Sequence, residues 1–166
     1  MTKISIVTPT YNEEQNIKTL CEDIKKEFEK IDLEYEHIII DNASTDNTIK
    51  ILEEICSKDK KVKVIVNSKN YGHIRSPFYG LLQTNSDATI LMASDFQDPI
   101  NLIPKYIEEW KKGKKIVLGQ KTSSEENRVK YSLRNIFYNF LNKISDFELP
   151  NNTTGAGIFD KSIIEK

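Results

Sequence analysis

Three short stretches of the chain carry a density of oxygen-bearing side chains able to do chemistry. Thr8-Pro9-Thr10-Tyr11-Asn12-Glu13-Glu14 sets an aromatic ring among polar groups. It reads either as a strand-to-helix turn with a cap, or as a ring to stack on a base beside groups for a nucleobase or ribose edge. In Asp41-Asn42-Ala43-Ser44-Thr45-Asp46-Asn47-Thr48, a carboxylate at a strand end can accept hydrogen bonds from a base or ribose. Ser44 or Asp46 can cap the helix that follows, and Asp, Asn and Ser are also ordinary turn residues. In Ala93-Ser94-Asp95-Phe96-Gln97-Asp98-Pro99, Asp95 and Gln97 offer hard oxygen ligands to a divalent cation that keeps waters and bridges phosphates. Asp98 reads as the cap of a helix opening at Pro99.

The elements that must position these stretches follow from the hydrophobic rhythm. Strand-like runs occur at Ile4–Val7, Ile38–Ile40, Val62–Val66, Thr89–Met92 and Ile116–Leu118. Helical stripes alternate with them. The first is Ile17, Leu20, Cys21, Ile24 and Phe28, with Asn12 and Gln15 as its cap pair. The second is Ile49, Leu52, Ile55 and Cys56. A helix starting at Ser76-Pro77 follows, and then Leu102, Ile103, Tyr106, Ile107 and Trp110, stopped by Gly113. A long helix is expected from Val129 to Ile144, and Asn152–Gly157 reads as a loop. Ala43 fits its turn only if its φ is negative. Continuous apolar strands alternating with helices imply an α/β fold, a mostly parallel sheet with helices on both faces. Ligands in such sheets bind at the carboxyl ends of the strands, and the polar stretches fall just past those ends.

Composition bounds the reading. The chain has 166 residues, enough for one domain. Its 24 basic and 25 acidic residues give a net charge of -1, which argues against a nucleic-acid-coating protein. No apolar run approaches the ~20 residues of a membrane span. Cys21 and Cys56 lack metal-ligand spacing and fit a reducing cytosol, so a cytoplasmic chain is expected.

In order and spacing, Pro9-Thr10-Tyr11-Asn12-Glu13, Asp41 through Thr48 and Asp95-Phe96-Gln97-Asp98-Pro99 resemble the inverting glycosyltransferases of family two, which have the GT-A (Rossmann-like) fold. Asn70-Tyr71-Gly72 is similar to the Asn-aromatic-Gly of the subgroup that charges a polyprenyl phosphate with one sugar, the dolichol-phosphate-mannose synthase type. The resemblance implies one GT-A catalytic domain over 1–166, a nucleotide-diphosphate sugar as donor (a UDP-sugar favoured) and a lipid-phosphate or glycan acceptor. It implies nucleotide contacts from Pro9, Tyr11, Glu13, Asp41, Ser44, Asn70, Arg75 and Ser94. Asp95 and Gln97 would hold Mg²⁺ or Mn²⁺, and Asp95 and Arg128 would be catalytic, Arg128 toward an acceptor phosphate. Three arginines are present, Arg75, Arg128 and Arg134, and Arg75, beside the strand ends, is the one expected on the donor. Ala93 stands where the family has the first Asp of Asp-x-Asp, and Asn42 and Ala43 where it has Asp and Gly. Asn152–Gly157 takes the place of the family's Gly-Asp-Phe-Arg-Leu stretch, as a loop bordering the acceptor.

Two other classes compete. Ala93 motivates a sugar-nucleotide-binding module without catalysis. A nucleotidyltransferase would carry a Gly-rich basic loop after its first strand, and Thr8–Glu14 has neither Gly nor Lys. For a hydroxyl acceptor a carboxylate base is required, and Asp146 and Asp160 are the candidates. Asp160–Lys166 reads as the start of a helix. The expectation is an N-terminal catalytic part of a longer protein that acts at the inner face of a bacterial membrane, with membrane association through other segments.

Overall fold

The computed structural model describes residues 2–120 and 153–165. The strands are β1 (Lys3–Thr10), β2 (Glu34–Asp41), β3 (Val62–Val66), β4 (Ala88–Leu91), β5 (Ile116–Gln120) and β6 (Thr153–Asp160). The helices are α1 (Ile17–Glu29), α2 (Thr48–Lys58), α3 (Gly72–Leu82), α4 (Ile103–Lys111, after a 3-10 turn at Ile100–Leu102) and the short α5 (Lys161–Ile164). One six-stranded sheet runs in the order β3-β2-β1-β4-β6-β5. β1 pairs in parallel with β2 and β4, and β2 with β3, while β6 is antiparallel to both β4 and β5.

The α/β, mostly parallel sheet covered on both faces is as the alternation implies. On one side Ile4, Ile6, Ile39, Ile90 and Ile158 meet α1, α2 and α4 through Leu20, Ile24, Leu52, Ile103 and Ile107. On the other, Val7, Ile38 and Ile40 form a smaller cluster. There α3 approaches so closely that a Cβ on Gly80 would lie 2.6 Å from Val7 Cγ1 and 2.8 Å from Ile40 Cγ1.

Four local expectations are corrected. Asn152–Gly157 falls mostly in β6, not in a loop, and β6 lies inside the sheet; Gly155 and Gly157 mask its strand character from the sequence. Pro77 lies inside α3, which begins at Gly72, because Asn42 of the loop after β2 and the Asn70 side chain hold residues 70–72 and set the helix start. α1 begins at Ile17 with no side-chain cap, since Asn12 bonds elsewhere. A missing cap costs about 1 kcal/mol. Burial of Ile17, Leu20, Ile24 and Phe28, at roughly 1.5–3 kcal/mol each, outweighs it. Asp98 makes no cap bond to the helix after Pro99. The long helix expected over Val129–Ile144, with Arg128, Arg134 and Asp146, lies outside the described residues.

His37 and Asp160 are framework groups. His37 is buried in β2 with Nε2 2.9 Å from Thr8 Oγ1, and burial lowers its pKa to about 4. The unfolded state therefore binds a proton below pH 6.5 that the folded state refuses. Stability is full above about pH 6.5 and is lost as pH falls toward 4, by about 3 kcal/mol in all. Urea unfolding across that window checks this, and His37→Gln should remove most of the slope; an unchanged slope contradicts it. Asp160 accepts from Ser162 Oγ, Trp110 Nε1, Lys115 Nζ and Ser162 N, bonds that hold its carboxyl well below the usual range. It caps α5 and ties α4 to Lys115, the residue before β5, so it is corrected from base candidate to structural anchor.

Candidate functional site at the strand ends

Parallel strands must turn at their carboxyl ends, and here they end level. Thr10 pairs with Asp41, and Asp41 with Val66. The loop after β1, the loop after β2, the start of α3 and the loop after β4 each contain one residue in the left-handed region: Asn12 (φ 56), Ala43 (φ 63), Gly72 (φ 84) and Phe96 (φ 57). Only one of them is glycine. For Ala43 this overturns the negative φ expected of it, and a residue with a Cβ costs roughly 1–2 kcal/mol there. Ala43→Gly removes that cost and adds about 0.5–1 kcal/mol of backbone entropy, so it should raise the urea midpoint by the equivalent of about 0.5–1 kcal/mol. At an unstrained backbone the same substitution lowers the midpoint, so the sign decides.

These turns are held by one another. Asn12 N donates to Ser44 Oγ at 2.9 Å, and Ser44 Oγ donates to Asp41 Oδ2 at 2.5 Å. Ser44 N reaches Asp41 Oδ1 at 2.9 Å. Thr45 N donates to Asn12 Oδ1 at 2.8 Å, Glu13 N to Thr48 Oγ1 at 2.8 Å and Asn47 Nδ2 to Glu14 Oε2 at 2.8 Å. For Asp46, burial alone would push the carboxyl up, but bonds from Thr48 and from Glu14 N hold it below its ordinary value. Much of the acceptor density read from Asp41–Thr48 thus stitches the first two loops together. Asn42 does the same for the third loop. Its Oδ1 accepts from Tyr71 N (3.0 Å) and Asn67 Nδ2 (3.1 Å), while its Nδ2 donates to Asn70 Oδ1 (3.0 Å). An Asp there could accept but not donate.

Above the stitched loops lies an open cleft of about 940 Å³. Pro9, Thr10, Tyr11, Glu13, Asn42, Asn70 and His73 line the side over β1–β3. Ala93, Ser94, Asp95, Gln97 and Asp98 line its middle, and Thr154, Gly155 and Ala156 of β6 the far side. Ile74 and Phe78 of α3, 73% and 61% exposed, give it an apolar edge. Of the residues singled out in the sequence, the structure brings Pro9, Tyr11, Glu13, Asn70, Ser94, Asp95 and Gln97 to this cleft. Asp41 and Ser44 do not line it: Asp41 is fully buried and supports the Tyr11 loop through Ser44. Arg75 lines a separate cavity of about 370 Å³ with Val66, Tyr71 and Tyr79. Arg128 lies outside the described residues. Thr154, Gly155 and Ala156, expected in a loop bordering the acceptor, line the cleft from a strand instead. Thr10 and Asn42 were missed, and the departure of Asn42 from the motif was the one sequence signal for either.

The electrostatics of the cleft are one-sided. Glu13, Asp95 and Asp98 face it, and among the described residues that line it there is no Lys or Arg. Asp95 Oδ2 accepts from Gln97 Nε2 at 2.5 Å and Ser94 Oγ donates to Pro9 O at 3.2 Å, so carboxylate and amide stand together over β4. Hard oxygens in this number suit Mg²⁺ or Mn²⁺ that keeps waters or ligand oxygens in its remaining positions. Ala93 contributes no ligand.

The model of glycosyl transferase family 2 matches residues 5–166. The bactoprenol glucosyl transferase of Shigella phage SfX is 33% identical over 165 residues, 98% of this chain and 54% of that protein. The chain spans about half the length of the curated relatives it matches. Among solved structures, mannosyl-3-phosphoglycerate synthase from Rubrobacter xylanophilus superposes with TM-score 0.74 at 17% identity, over 98% of this chain and 55% of that one. Glucosyl-3-phosphoglycerate synthase from Mycobacterium tuberculosis, in complex with Mn²⁺, UDP and glucosyl-3-phosphoglycerate, gives 0.65 at 20% identity, over 98% and 58%. Both likenesses show the fold, the GT-A arrangement expected of the chain. Motifs, sheet order and family model agree, and the chain belongs to glycosyl transferase family 2.

Proposed function

We propose that residues 1–166 form the donor-binding catalytic unit of a glycosyltransferase that moves a hexose from a UDP-sugar to a polyprenyl phosphate with inversion. The observation that carries it is the cleft itself, with an aromatic ring and amides over β1–β3 and the Asp95 carboxylate beside the Gln97 amide over β4. The nucleoside lies against Tyr11, Glu13 and Asn70. Asp95 and Gln97 hold Mg²⁺ or Mn²⁺, which supplies positive charge to the diphosphate as it leaves. Ser94 braces the loop that carries them against Pro9. Inversion is a single displacement: an acceptor phosphate oxygen bonds to the anomeric carbon while the bond to the nucleotide diphosphate breaks on the opposite side. A phosphate oxygen is already anionic and needs no base, which suits a cleft whose base candidate Asp160 is committed to the framework. The lipid acceptor is supported by the relative from phage SfX and by the apolar edge at Ile74 and Phe78. Arg128 is proposed for the acceptor phosphate.

Such an acceptor places the reaction at the cytoplasmic face of a membrane; among the described residues no helix is long and apolar enough to cross one. Ala93 favours a second reading, binding without transfer. A thermal-shift panel of UDP, GDP and their sugars with and without Mn²⁺ tests donor binding. Stabilisation by UDP-sugars that needs Mn²⁺ is the expected result, and a panel without any shift contradicts it. Transfer to undecaprenyl phosphate then separates the two readings.

A further inference from the structure

The outer side of α3 breaks the pattern that the other surface helices keep. Its inner side is Ser76, Pro77 and Gly80, all buried, with Gly80 against Val7 and Ile40 of the sheet. Helical spacing puts two rows at four-residue steps on the opposite side. Ile74, Phe78 and Leu82 form one, and Tyr71, Arg75 and Tyr79 the other; all six are exposed. By contrast, α1, α2 and α4 turn charge to solvent, with Glu22 and Lys25, Glu53 and Glu54, and Glu108 and Lys111. A contiguous exposed apolar patch of this kind marks an interaction surface.

Charge says what the surface fits. From Asn67 to Ser86 the chain carries Lys69 and Arg75 and no Asp or Glu, although 25 of its 166 residues are acidic. Arg75 opens on the cavity of about 370 Å³ between the end of β3 and α3, where Tyr71, Tyr79 and Ser68 add hydroxyls and no carboxylate enters the lining. Lys69 Nζ stands 5.3 Å from the centre of the Tyr71 ring. Cations and phenols thus border an apolar row, the order of groups that an interfacial helix presents to lipid head groups and acyl chains. With eleven residues α3 is too short to cross a bilayer, so it would lie on one.

We propose that the outer side of α3 docks on an anionic bilayer surface, with Ile74, Phe78 and Leu82 at the acyl boundary and Lys69 and Arg75 among the lipid phosphates. The contact needs no nucleotide and does not rest on the donor reading. It has a direct consequence for the cleft. Ile74 and Phe78 are also the cleft's apolar edge, so the cleft opens beside the docked surface.

Flotation with lipid vesicles, without nucleotide or metal, is the test. The protein should float with phosphatidylcholine vesicles containing about one-third phosphatidylglycerol, and at least about fivefold more weakly with phosphatidylcholine alone. Phe78→Glu combined with Leu82→Glu should lower partitioning at least about tenfold. Arg75→Glu should lower it at least about fivefold on the anionic vesicles and little on the neutral ones. The three side chains are exposed, and thermal unfolding of each variant checks that it folds. Phe78→Trp keeps the face apolar and gives a second readout. Its emission should shift to the blue with vesicles and be quenched by brominated lipid. Trp110, packed on the opposite side of the sheet, should show neither effect in the unaltered protein. An unaltered protein that does not float, or flotation that the α3 variants leave unchanged, overturns the proposal. So does Phe78→Trp emission that is already blue without lipid. Protein would then cover the face, a second copy if the molecule sediments as a dimer. The thermal-shift panel reads the donor site separately. A protein that floats but binds no nucleotide keeps the docking surface and loses the donor reading, and the reverse result does the opposite.

Discussion

Asp95→Ala should abolish the effect of Mn²⁺ on UDP binding. In the unaltered protein the cleft presents Glu13, Asp95 and Asp98 to an anionic ligand, and on the proposed reading the metal supplies the attraction. No cluster of three or more acidic, His or Cys side chains fit to hold a metal occurs among the described residues. On the proposed reading the nucleotide completes the metal site, as it commonly does at Mg²⁺-type sites with one or two carboxylates. Mn²⁺ should bind weakly to the free protein and clearly in the presence of UDP. Removing Asp95 takes away the one exposed carboxylate over β4, and Gln97 loses the partner that aims it. UDP affinity in Mn²⁺ should fall at least about tenfold. Sugar transfer should fall about a hundredfold or more, since metal charge stabilisation is worth several kcal/mol and each 1.36 kcal/mol is a factor of ten. Calorimetry with Mn²⁺ and with EDTA checks it; an Asp95→Ala protein still helped by Mn²⁺ contradicts it.

Asp41→Ala should weaken nucleotide binding about tenfold and lower the unfolding free energy by about 2 kcal/mol, the scale of bonds to a charged group. Asp41 is fully buried, and its two oxygens take Ser44 N and Ser44 Oγ. Ser44 Oγ in turn receives Asn12 N, beside Tyr11. The carboxylate therefore positions the ring loop rather than reaching ligand itself. Ser44→Ala should then reproduce most of the loss in affinity, with a smaller loss in stability. If Asp41 contacts the base directly, Ser44→Ala will bind UDP normally while Asp41→Ala does not. Unchanged affinity in a folded Asp41→Ala protein removes the residue from the site altogether.

The two variants also mark how far the sequence could be read. Helices and parallel strands were legible because each carries its own periodicity: Ile17, Leu20, Ile24 and Phe28 recur at helical steps and all are buried. The strand-end position of the polar stretches followed from parallel-sheet geometry, and Tyr11, Glu13, Asp95 and Gln97 do meet in one cleft. What could not be read depended on partners distant in the chain. Asn12 looks like a local cap, yet its oxygen serves Thr45, thirty-three residues on. Pro77 looks like a helix start, yet Asn42 and Asn70 pin residues 70–72 and bring the start forward to Gly72. Arg75 sits at a strand end in sequence, but the helical turn of α3 carries it to the neighbouring cavity, away from the cleft. β6 was hidden by its glycines. At Gly157 a Cβ would stand 2.3 Å from Val117 O, so a residue that reads as loop is one that the β5–β6 pairing requires.

A metal-bound nucleotide diphosphate should occupy the cleft over β4 with its base over β1–β3. A crystal structure of the protein grown with UDP and Mn²⁺, with anomalous scattering recorded at the manganese edge, tests it most directly. An anomalous peak is expected beside Asp95 and Gln97, with the uracil against Tyr11. A nucleotide seated instead in the Arg75 cavity, or UDP in the cleft with no manganese at Asp95, would contradict it.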